Sequence, residues 1–462
     1  MEASRNTNSA LLSTLFLFLL LIISSSTSLN YHNTFFPTSL SHAHHEPEEP
    51  LTVPESDPNT MTLSLPLLHV DHLHPAKSSL SATEFLRLRL RRDILRAQAH
   101  KHLGGPAQLN SSVYSGFLQG SGEFFTHLWV GTPPQLAQFV IDTGSDLTWL
   151  QCAPCEVCYK QTDPVYDPAQ SKSFNPVPCD SKLCHPVHCK DRSCQYGIEY
   201  GDDSFSKGKL ATETLTFRTT RLARVTLGCG HINRGLFFGA GGLLGLGRGK
   251  LSLTTQKGHL FNRTFSYCLV SRYVSKGSSW LMFGNPAVPQ KAVYTPMVKG
   301  RVRNMADIFY TVRLTGISVG GQAVELPEAA AEKEVIVDSG TAVTRLSQGM
   351  YKALRDAFKE GNKNLIPADS PMPDLFDTCY SMREGDSVTA VALQFEGGAF
   401  MELPLTNSLV PLDDEGTYCF AFAGDMDGPG ILGNTQQQGF RVVFDLEGHR
   451  VGFAPDSCSN PT

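Results

Sequence analysis

Two short segments of the chain share a pattern of apolar residues, an aspartate, a hydroxyl residue and a glycine. Residues 139–145 read FVIDTGS and residues 335–341 read VIVDSGT. Three apolar residues ahead of Asp142 and of Asp338 predict buried strands that end at the aspartates. The glycine two positions later permits a tight turn that brings backbone N–H groups to the carboxylate. We therefore predict two carboxylates, each held at the end of a strand.

A second match follows each copy at a similar distance. Residues 242–245 read GLLG and residues 430–433 read GILG, 100 and 92 residues after the respective aspartates. This internal repeat predicts two related halves that face each other across a pseudo-twofold axis. The hydroxyls of Ser145 and Thr341 can each donate to an outer carboxylate oxygen and orient it.

Two carboxylates that meet in this way can activate water. Like charges in contact cannot both ionise, so the pair holds one proton over a broad acidic range. The ionised member then acts as base and the protonated member as acid, without a metal, a cofactor or a covalent intermediate. The candidate catalytic residues are Asp142 and Asp338. The residues expected to support them are Thr143, Gly144, Ser145, Ser339, Gly340 and Thr341.

The elements that position these loops are predominantly strands. From residue 121 onward, short apolar runs alternate with turn residues, which predicts an all-β fold. The clearest helical periodicity covers residues 347–360, with Met350, Leu354 and Phe358 on one face. The 462 residues carry a net charge of -5, which provides no basic surface for nucleic acid.

The first residues indicate export. An apolar run over residues 10–23 precedes small residues and predicts a cleaved signal peptide, residues 1–28; a retained membrane anchor is the alternative. Residues 29–112 lack cysteine and predict a propeptide. Within it, Ser81 and Glu84 begin a basic amphipathic helix. That helix either lies in solvent or on a membrane surface, or, as we favour, covers an acidic cleft.

All 12 cysteines lie in residues 152–458, and an even number in an exported chain predicts disulfides. The spacing of Cys152, Cys155 and Cys158 also resembles a zinc site, to which His185 and His188 could contribute, but export favours disulfides and no metal. Asn110 and Asn262 begin sequons that permit N-glycosylation.

Together these motifs resemble the pepsin-like aspartic proteases, and more closely the nepenthesin-type branch found in plants. The resemblance covers about residues 120–458. Besides the repeats it includes GTPP at residues 131–134, the cysteine-rich insert at residues 152–194, FDTCY at residues 376–380 and VGFAP at residues 451–455.

The resemblance implies a bilobal pepsin-like fold, two β-barrel-like lobes with a substrate cleft between them. The lobes would comprise residues 113–294 and 295–462. Tyr200 would be the flap tyrosine and would hydrogen-bond with Trp149, although the flap has Asp203 where the family usually has glycine. The implied disulfides are Cys152–Cys155, Cys158–Cys229, Cys179–Cys194, Cys184–Cys189, Cys268–Cys458 and Cys379–Cys419.

The function implied is a secreted aspartic endopeptidase, in the cell wall space or a vacuole, that acts on proteins or peptides. Its own propeptide would block the cleft, and a monomer is expected because both loops lie in one chain. The rival hypothesis is an inert inhibitor or binding protein of the same fold.

Overall fold

The structure is a computed structural model that describes residues 61–69, 84, 87, 90, 124–184, 188–199, 204–218, 220–235, 237, 239–270, 279–300, 307–328, 333–383, 385–413, 415–426, 428–456 and 458. The strands are β1 (Leu63–His69), β2 (Phe124–Val130), β3 (Gln135–Asp142), β4 (Trp149–Gln151), β5 (Asn175–Pro176), β6 (Cys189–Lys190), β7 (Ser193–Glu199), β8 (Phe205–Phe217), β9 (Thr220–Arg234), β10 (Gly242–Gly245), β11 (Thr264–Cys268), β12 (Ser279–Phe283), β13 (Val293–Pro296), β14 (Thr311–Val319), β15 (Gln322–Ala323), β16 (Glu334–Val337), β17 (Thr344–Ser347), β18 (Ile366–Ala368), β19 (Cys379–Ser381), β20 (Val391–Phe395), β21 (Phe400–Glu402), β22 (Leu409–Pro411), β23 (Thr417–Phe420), β24 (Phe422–Met426), β25 (Gly430–Leu432), β26 (Phe440–Asp445) and β27 (Arg450–Pro455).

Helices are few. Besides the helical positions 84, 87 and 90, the α-helices of the described residues are α1 (Leu253–Lys257), α2 (Gln348–Gly361), α3 (Leu405–Ser408) and α4 (Asn434–Gln437). Short 3-10 helices cover Pro168–Gln170, Gly258–Phe261, Asn285–Ala287 and Glu396–Gly398. The all-β prediction is confirmed.

One large sheet joins the two halves of the chain. Its fifteen strands follow the order β13-β27-β26-β11-β12-β1-β2-β3-β10-β4-β9-β8-β7-β6, with β5 paired to β8. An eight-stranded sheet, β21-β20-β14-β16-β25-β17-β24 with β15 on β14, and a four-stranded sheet, β18-β19-β23-β22, belong to the second half. The last strands of the chain, β26 and β27, therefore complete a sheet that the first half builds.

The sequence repeat corresponds to a repeat in sheet pairing. β3 runs parallel to β10, with Asp142 opposite Gly245. β16 likewise runs parallel to β25, with Val337 opposite Leu432. In both halves the glycine-framed step is thus the neighbour of the strand that leads to the aspartate, as expected for two buried parallel pairs.

An aromatic cluster on two neighbouring strands of the large sheet packs residues of both halves together. Phe265 of β11 stacks on Phe444 of β26, with ring centroids 4.6 Å apart. Tyr310, which precedes β14, lies 4.4 Å from the same Phe444 ring. All three side chains are at most 1% exposed, so this cluster forms a closely packed part of the core shared by the two halves.

A strand from the region expected to be the propeptide lies within this sheet. β1 pairs antiparallel with β12 and, at its end, with β2. Leu63, Leu65 and Leu67 point into the core and are at most 5% exposed. Their alternation is typical of a half-buried strand.

The predicted helix of the second half is confirmed as α2. Ser347 caps its first turn by accepting a hydrogen bond from the Met350 N–H. Met350, Leu354 and Phe358 are buried, as their spacing predicts, and Tyr351 is buried beside them.

The cysteine pairing differs from the implied one in the cysteine-rich insert. Cys268–Cys458 and Cys379–Cys419 are confirmed. The other four implied pairs are wrong. The observed pairs are Cys152–Cys229, Cys155–Cys158, Cys179–Cys189 and Cys184–Cys194.

Strand pairing explains these differences. β4 runs parallel to β9 with Leu150 opposite Cys229, which brings Cys152 beside Cys229. In the β6–β7 hairpin, Cys189 lies opposite Cys194, and each bonds a cysteine ten residues earlier. The cysteines of the zinc-like spacing are therefore all used in disulfides.

Several predicted features lie outside the described residues, among them the signal peptide, Asn110, Tyr200, Asp203 and His185. Asn262 is described; it is exposed, and its side-chain amide donates to Asn285 Oδ1 over 2.8 Å. Among the residues that are described, none of the helices combines the length and apolar character needed to cross a membrane.

Candidate active site

The two repeated aspartates occupy matching positions in their sheets. Asp142 is the last residue of β3, and Asp338 directly follows β16. Both are nearly fully buried, with exposed fractions of 1% and 2%. In each loop the glycine two positions later donates its backbone N–H to aspartate Oδ1 over 2.9 Å, from Gly144 to Asp142 and from Gly340 to Asp338. The two carboxylates are therefore held in the same way.

Crossed hydrogen bonds join the two loops. The Thr143 backbone N–H donates to Ser339 Oγ over 3.1 Å, and the Ser339 backbone N–H donates to Thr143 Oγ1 over 2.9 Å. The hydroxyls in turn donate to backbone carbonyls, Thr143 to Val337 over 3.1 Å and Ser339 to Ile141 over 3.3 Å. Because these residues directly follow the aspartates, the crossed bonds bring the two aspartate loops face to face.

The hydroxyls at the ends of the repeats differ in their bonds. Thr341 Oγ1 donates to Asp338 Oδ2 over 2.7 Å, as its position predicts. Ser145 is equally buried, but its hydroxyl makes no hydrogen bond to any described residue. The symmetry of the two loops is therefore incomplete at this position.

A layer behind the dyad was not predicted from the sequence. Gln437 of α4 donates through Nε2 to the Asp338 carbonyl over 3.1 Å, and the Tyr267 hydroxyl donates to Gln437 Oε1. Burial raises the pKa of Tyr267 well above its usual value, and the nearby charges of Asp338 and Asp142 add to the effect. No repeat or spacing in the sequence indicates a role for Gln437 or Tyr267.

Asp146 was likewise not predicted as a site residue. A signal was present, because the two repeats differ at this position: the second copy has Ala342 there.

This arrangement can perform acid–base chemistry. A carboxylate can accept or donate a proton, and two of them lie buried here in loops that are hydrogen-bonded to each other. The glycine N–H groups orient each carboxylate through the backbone, and the Thr341 hydroxyl adds a side-chain hydrogen bond to Asp338. Across the described residues, no group of three or more histidine, cysteine, aspartate or glutamate side chains is arranged to hold a metal ion.

Trp149 lies close to the first loop, in β4. It is fully buried and meets the Phe237 ring edge-on at a centroid distance of 5.1 Å. The expected partner, Tyr200, lies outside the described residues, so the contact between them stays a prediction. The strands on either side of that position pair with each other, with Glu199 opposite Phe205 at the end of the β7–β8 ladder.

Family models match both halves of the chain. Residues 124–285 match a family described as xylanase inhibitor N-terminal, and residues 309–455 match one described as xylanase inhibitor C-terminal. Among solved structures, the chain is similar to basic 7S globulin from soybean, with a TM-score of 0.58 and 20% identity over 74% of this chain and 94% of that one. It is also similar to a structure named edgp, with a TM-score of 0.61 and 19% identity over 87% and 96%. These structures support the fold alone.

Closer similarity is found among plant proteases. The chain is 47% identical to aspartyl protease family protein 2 of Arabidopsis thaliana over 85% of each chain. It is 35% identical to aspartic proteinase nepenthesin-2 of Nepenthes gracilis over 76% of this chain and 81% of that one. With the repeated aspartate loops, the bilobal fold and these relatives taken together, the chain belongs to the plant pepsin-like aspartic proteases and is an aspartic-type peptidase.

Proposed function

We propose that the protein is an exported endopeptidase in which Asp142 and Asp338 jointly activate one water molecule. The observation that carries the proposal is the pair of crossed hydrogen bonds between Thr143 and Ser339, because they bring the two catalytic loops face to face. The matching N–H donors of Gly144 and Gly340 support equal roles for the carboxylates.

In the first step, the ionised carboxylate removes a proton from the water as the water attacks the scissile carbonyl carbon. The protonated carboxylate donates its hydrogen to the carbonyl oxygen, which gives a neutral tetrahedral intermediate. In the second step, the carboxylate that gained a proton gives it to the leaving amine. The other carboxylate takes back the hydrogen from the intermediate, and the C–N bond breaks. The dyad ends with the single proton with which it began.

The decisive variant is Asp338→Asn, which preserves shape but removes the ionisable group. We expect cleavage of an unfolded protein substrate at acidic pH to fall by about 10³-fold, within the range that general acid–base groups contribute. Asp369→Asn, at an exposed carboxylate, is the matched control. Thermal unfolding of both variants checks that they fold. Cleavage by folded Asp338→Asn within tenfold of the wild-type rate would eliminate the dyad mechanism.

The second candidate function is an inert binding protein of the same fold. The description of the matching family models, xylanase inhibitor, favours testing it. The same experiment distinguishes the two functions, because an inert protein would show no cleavage that depends on Asp338 at any pH.

The propeptide is proposed to block the cleft. Positions 84, 87 and 90 are helical, in agreement with the predicted amphipathic helix. Leu90 is fully buried in an apolar cluster that includes Ala342, Val343 and Phe376. Ala342 and Val343 directly follow the loop of Asp338, so the Leu90 contact lies on the segment next to the second aspartate loop. This supports an apolar anchor in addition to the expected charge attraction.

The proposed organisation is a signal peptide at residues 1–28, a propeptide at 29–112 and lobes at 113–294 and 295–462. The six disulfides support passage through the oxidising secretory pathway to the cell wall space or a vacuole. N-terminal sequencing of the precursor and of the acid-treated protein tests both boundaries. Gel filtration tests the expected monomer.

A further inference from the structure

One difference between the repeats places an additional carboxylate beside the first catalytic loop. Four residues after Asp142 the chain has Asp146, whereas four residues after Asp338 it has Ala342. The dyad mechanism uses neither position. Asp146 nevertheless makes a specific contact, because its Oδ1 accepts a hydrogen bond from the Gly249 N–H over 2.8 Å.

The segment opposite Asp146 fits around its carboxylate. A Cβ atom at Gly249 would lie 1.4 Å from Asp146 Oδ2, and a Cβ atom at Gly247 would lie 2.5 Å from Asp146 Oδ1. No side chain larger than hydrogen can therefore occupy either position while the carboxylate remains there. The glycines and the carboxylate form one packed unit.

Residues 246–249, here called the bridge segment, contact the first catalytic loop along its length. The Leu246 N–H donates to the Asp142 carbonyl over 2.9 Å, and the Gly247 N–H donates to the Ser145 carbonyl over 2.7 Å. The bond from the Gly249 N–H to Asp146 adds a third contact. In this contact the loop accepts through a side chain, whereas in the other two it accepts through backbone carbonyls.

The bridge segment also contacts the second half of the chain. The Arg248 N–H donates to the Ile308 carbonyl over 2.9 Å, and Arg248 Nη1 donates to the Phe309 carbonyl over 3.0 Å. The Tyr310 hydroxyl donates to the Leu246 carbonyl over 2.7 Å. The Tyr310 carbonyl then accepts from the Val337 N–H over 2.9 Å, one residue before Asp338. A continuous set of hydrogen bonds thus connects the two catalytic loops outside the crossed Thr143 and Ser339 pair.

We propose that Asp146 is a positioning residue of the catalytic centre, which holds the first catalytic loop on the bridge segment and so sets its place relative to the second loop. Its effect on catalysis rests on the proposed endopeptidase function, whereas its effect on the stability of the loop does not. Asp146 touches the bridge segment and not the reacting atoms, so it acts through Asp142.

The protonation of Asp146 couples this role to pH. Burial raises its pKa to about 7, although the Gly249 N–H and the positive charge of Arg248 act in the opposite direction. The groups facing it are the Arg248 guanidinium and the Tyr310 phenol, and burial raises the pKa of Tyr310, which stays neutral. A raised folded-state pKa stabilises the fold below the ordinary value near 4, and this contribution is lost as the pH rises through about 7.

The test compares Asp146→Asn and Asp146→Ala with the exposed control Asp369→Asn. For each protein, kcat, KM and the melting temperature are measured from pH 3 to 8. We expect Asp146→Ala to lower kcat about 10- to 100-fold at acidic pH with KM changed less than about threefold, since misplaced reacting groups cost rate rather than binding. Asp146→Asn keeps the shape without a titrating group, so its melting temperature should fall less between pH 5 and 8 than that of the wild type.

Wild-type kcat in Asp146→Ala, or a wild-type decline of melting temperature with pH in Asp146→Asn, would overturn the proposal. If the alanine variant does not fold, the asparagine variant still decides the matter through its melting temperatures. A wild-type protein that cleaves nothing, while Asp146→Asn flattens the melting profile, would refute the proposed function and leave the role of Asp146 in the fold intact.

Discussion

The hydroxyls of Thr143 and Ser339 join the two aspartate loops to each other. Each accepts a backbone N–H from the opposite loop and donates to a backbone carbonyl. Thr143, Ser339, Ile141 and Val337 are all buried, so removing one hydroxyl leaves polar atoms without a partner and without access to water. Residues beside the dyad therefore affect both stability and the distance between the loops.

We expect Ser339→Ala to lower the free energy of unfolding by about 1–3 kcal/mol, the typical cost of leaving a buried donor unsatisfied. The group left without an acceptor is the Thr143 N–H. Urea unfolding measures the change, and kcat on the same preparation reports the position of the loops. Ser339→Thr, which keeps the hydroxyl that the first repeat uses, is the control. Equal stability of the alanine variant and the wild type would contradict the assigned role.

The helix α2 is attached to the segment that follows it through the carboxylate of Asp377. The Tyr351 hydroxyl and Arg355 Nη1 both donate to Asp377, the latter over 2.7 Å. The Thr378 hydroxyl donates to the same carboxylate over 2.8 Å. Burial opposes ionisation of Asp377, but these hydrogen bonds and the Arg355 charge outweigh it and lower its pKa. The FDTCY motif of the sequence thus has a structural role in fastening a helix.

A lowered folded-state pKa contributes stability above the ordinary value near 4, and this contribution is lost as the pH falls. We therefore expect Asp377→Asn to reduce the free energy of unfolding at pH 6 more than at pH 2.5. The Asp377 side chain is 43% exposed, so solvent screening limits the loss at pH 6 to about 1 kcal/mol. Urea unfolding at both pH values measures it, with the exposed Asp374→Asn as control. A loss that is the same at both pH values would contradict the charge-based account.

The region that we propose to be the propeptide contacts the rest of the chain at two separate places. β1 lies between β12 and β2 in the large sheet. Leu90 lies in an apolar cluster with Ala342 and Val343, which directly follow the second aspartate loop. The first contact belongs to the large sheet and the second lies next to an aspartate loop, so we expect them to respond differently to substitution.

We expect Leu90→Asp to raise cleavage of a short peptide by the intact precursor about tenfold or more, because burying an unpaired carboxylate in an apolar cluster costs several kcal/mol and displaces the segment. Initial rates, measured before any size change on a gel, test this. Arg87→Ala, one helical turn earlier, separates the two hypotheses for cleft blocking. A larger increase in Arg87→Ala than in Leu90→Asp would favour charge attraction over the apolar anchor.

Local patterns were sufficient to predict the elements that carry the chemistry. The apolar residues ahead of Asp142 and Asp338 form buried strands, the glycines supply the N–H donors, and Ser347 begins a helix. The disulfides of the cysteine-rich insert could not be obtained in this way. Cys152 reaches Cys229 because β4 and β9 are neighbours, which spacing along the chain does not reveal.

The two aspartate loops, the all-β class and the family could be predicted from the sequence, because each depends on residue types at short spacing. Packing between distant strands fixes which hydroxyl bonds which N–H, which cysteines pair, and that Asp146, Gly249 and Tyr310 lie along one path between the halves. Those contacts join residues up to 196 positions apart. They arise from packing of strands whose order in the sheets differs from their order in the chain.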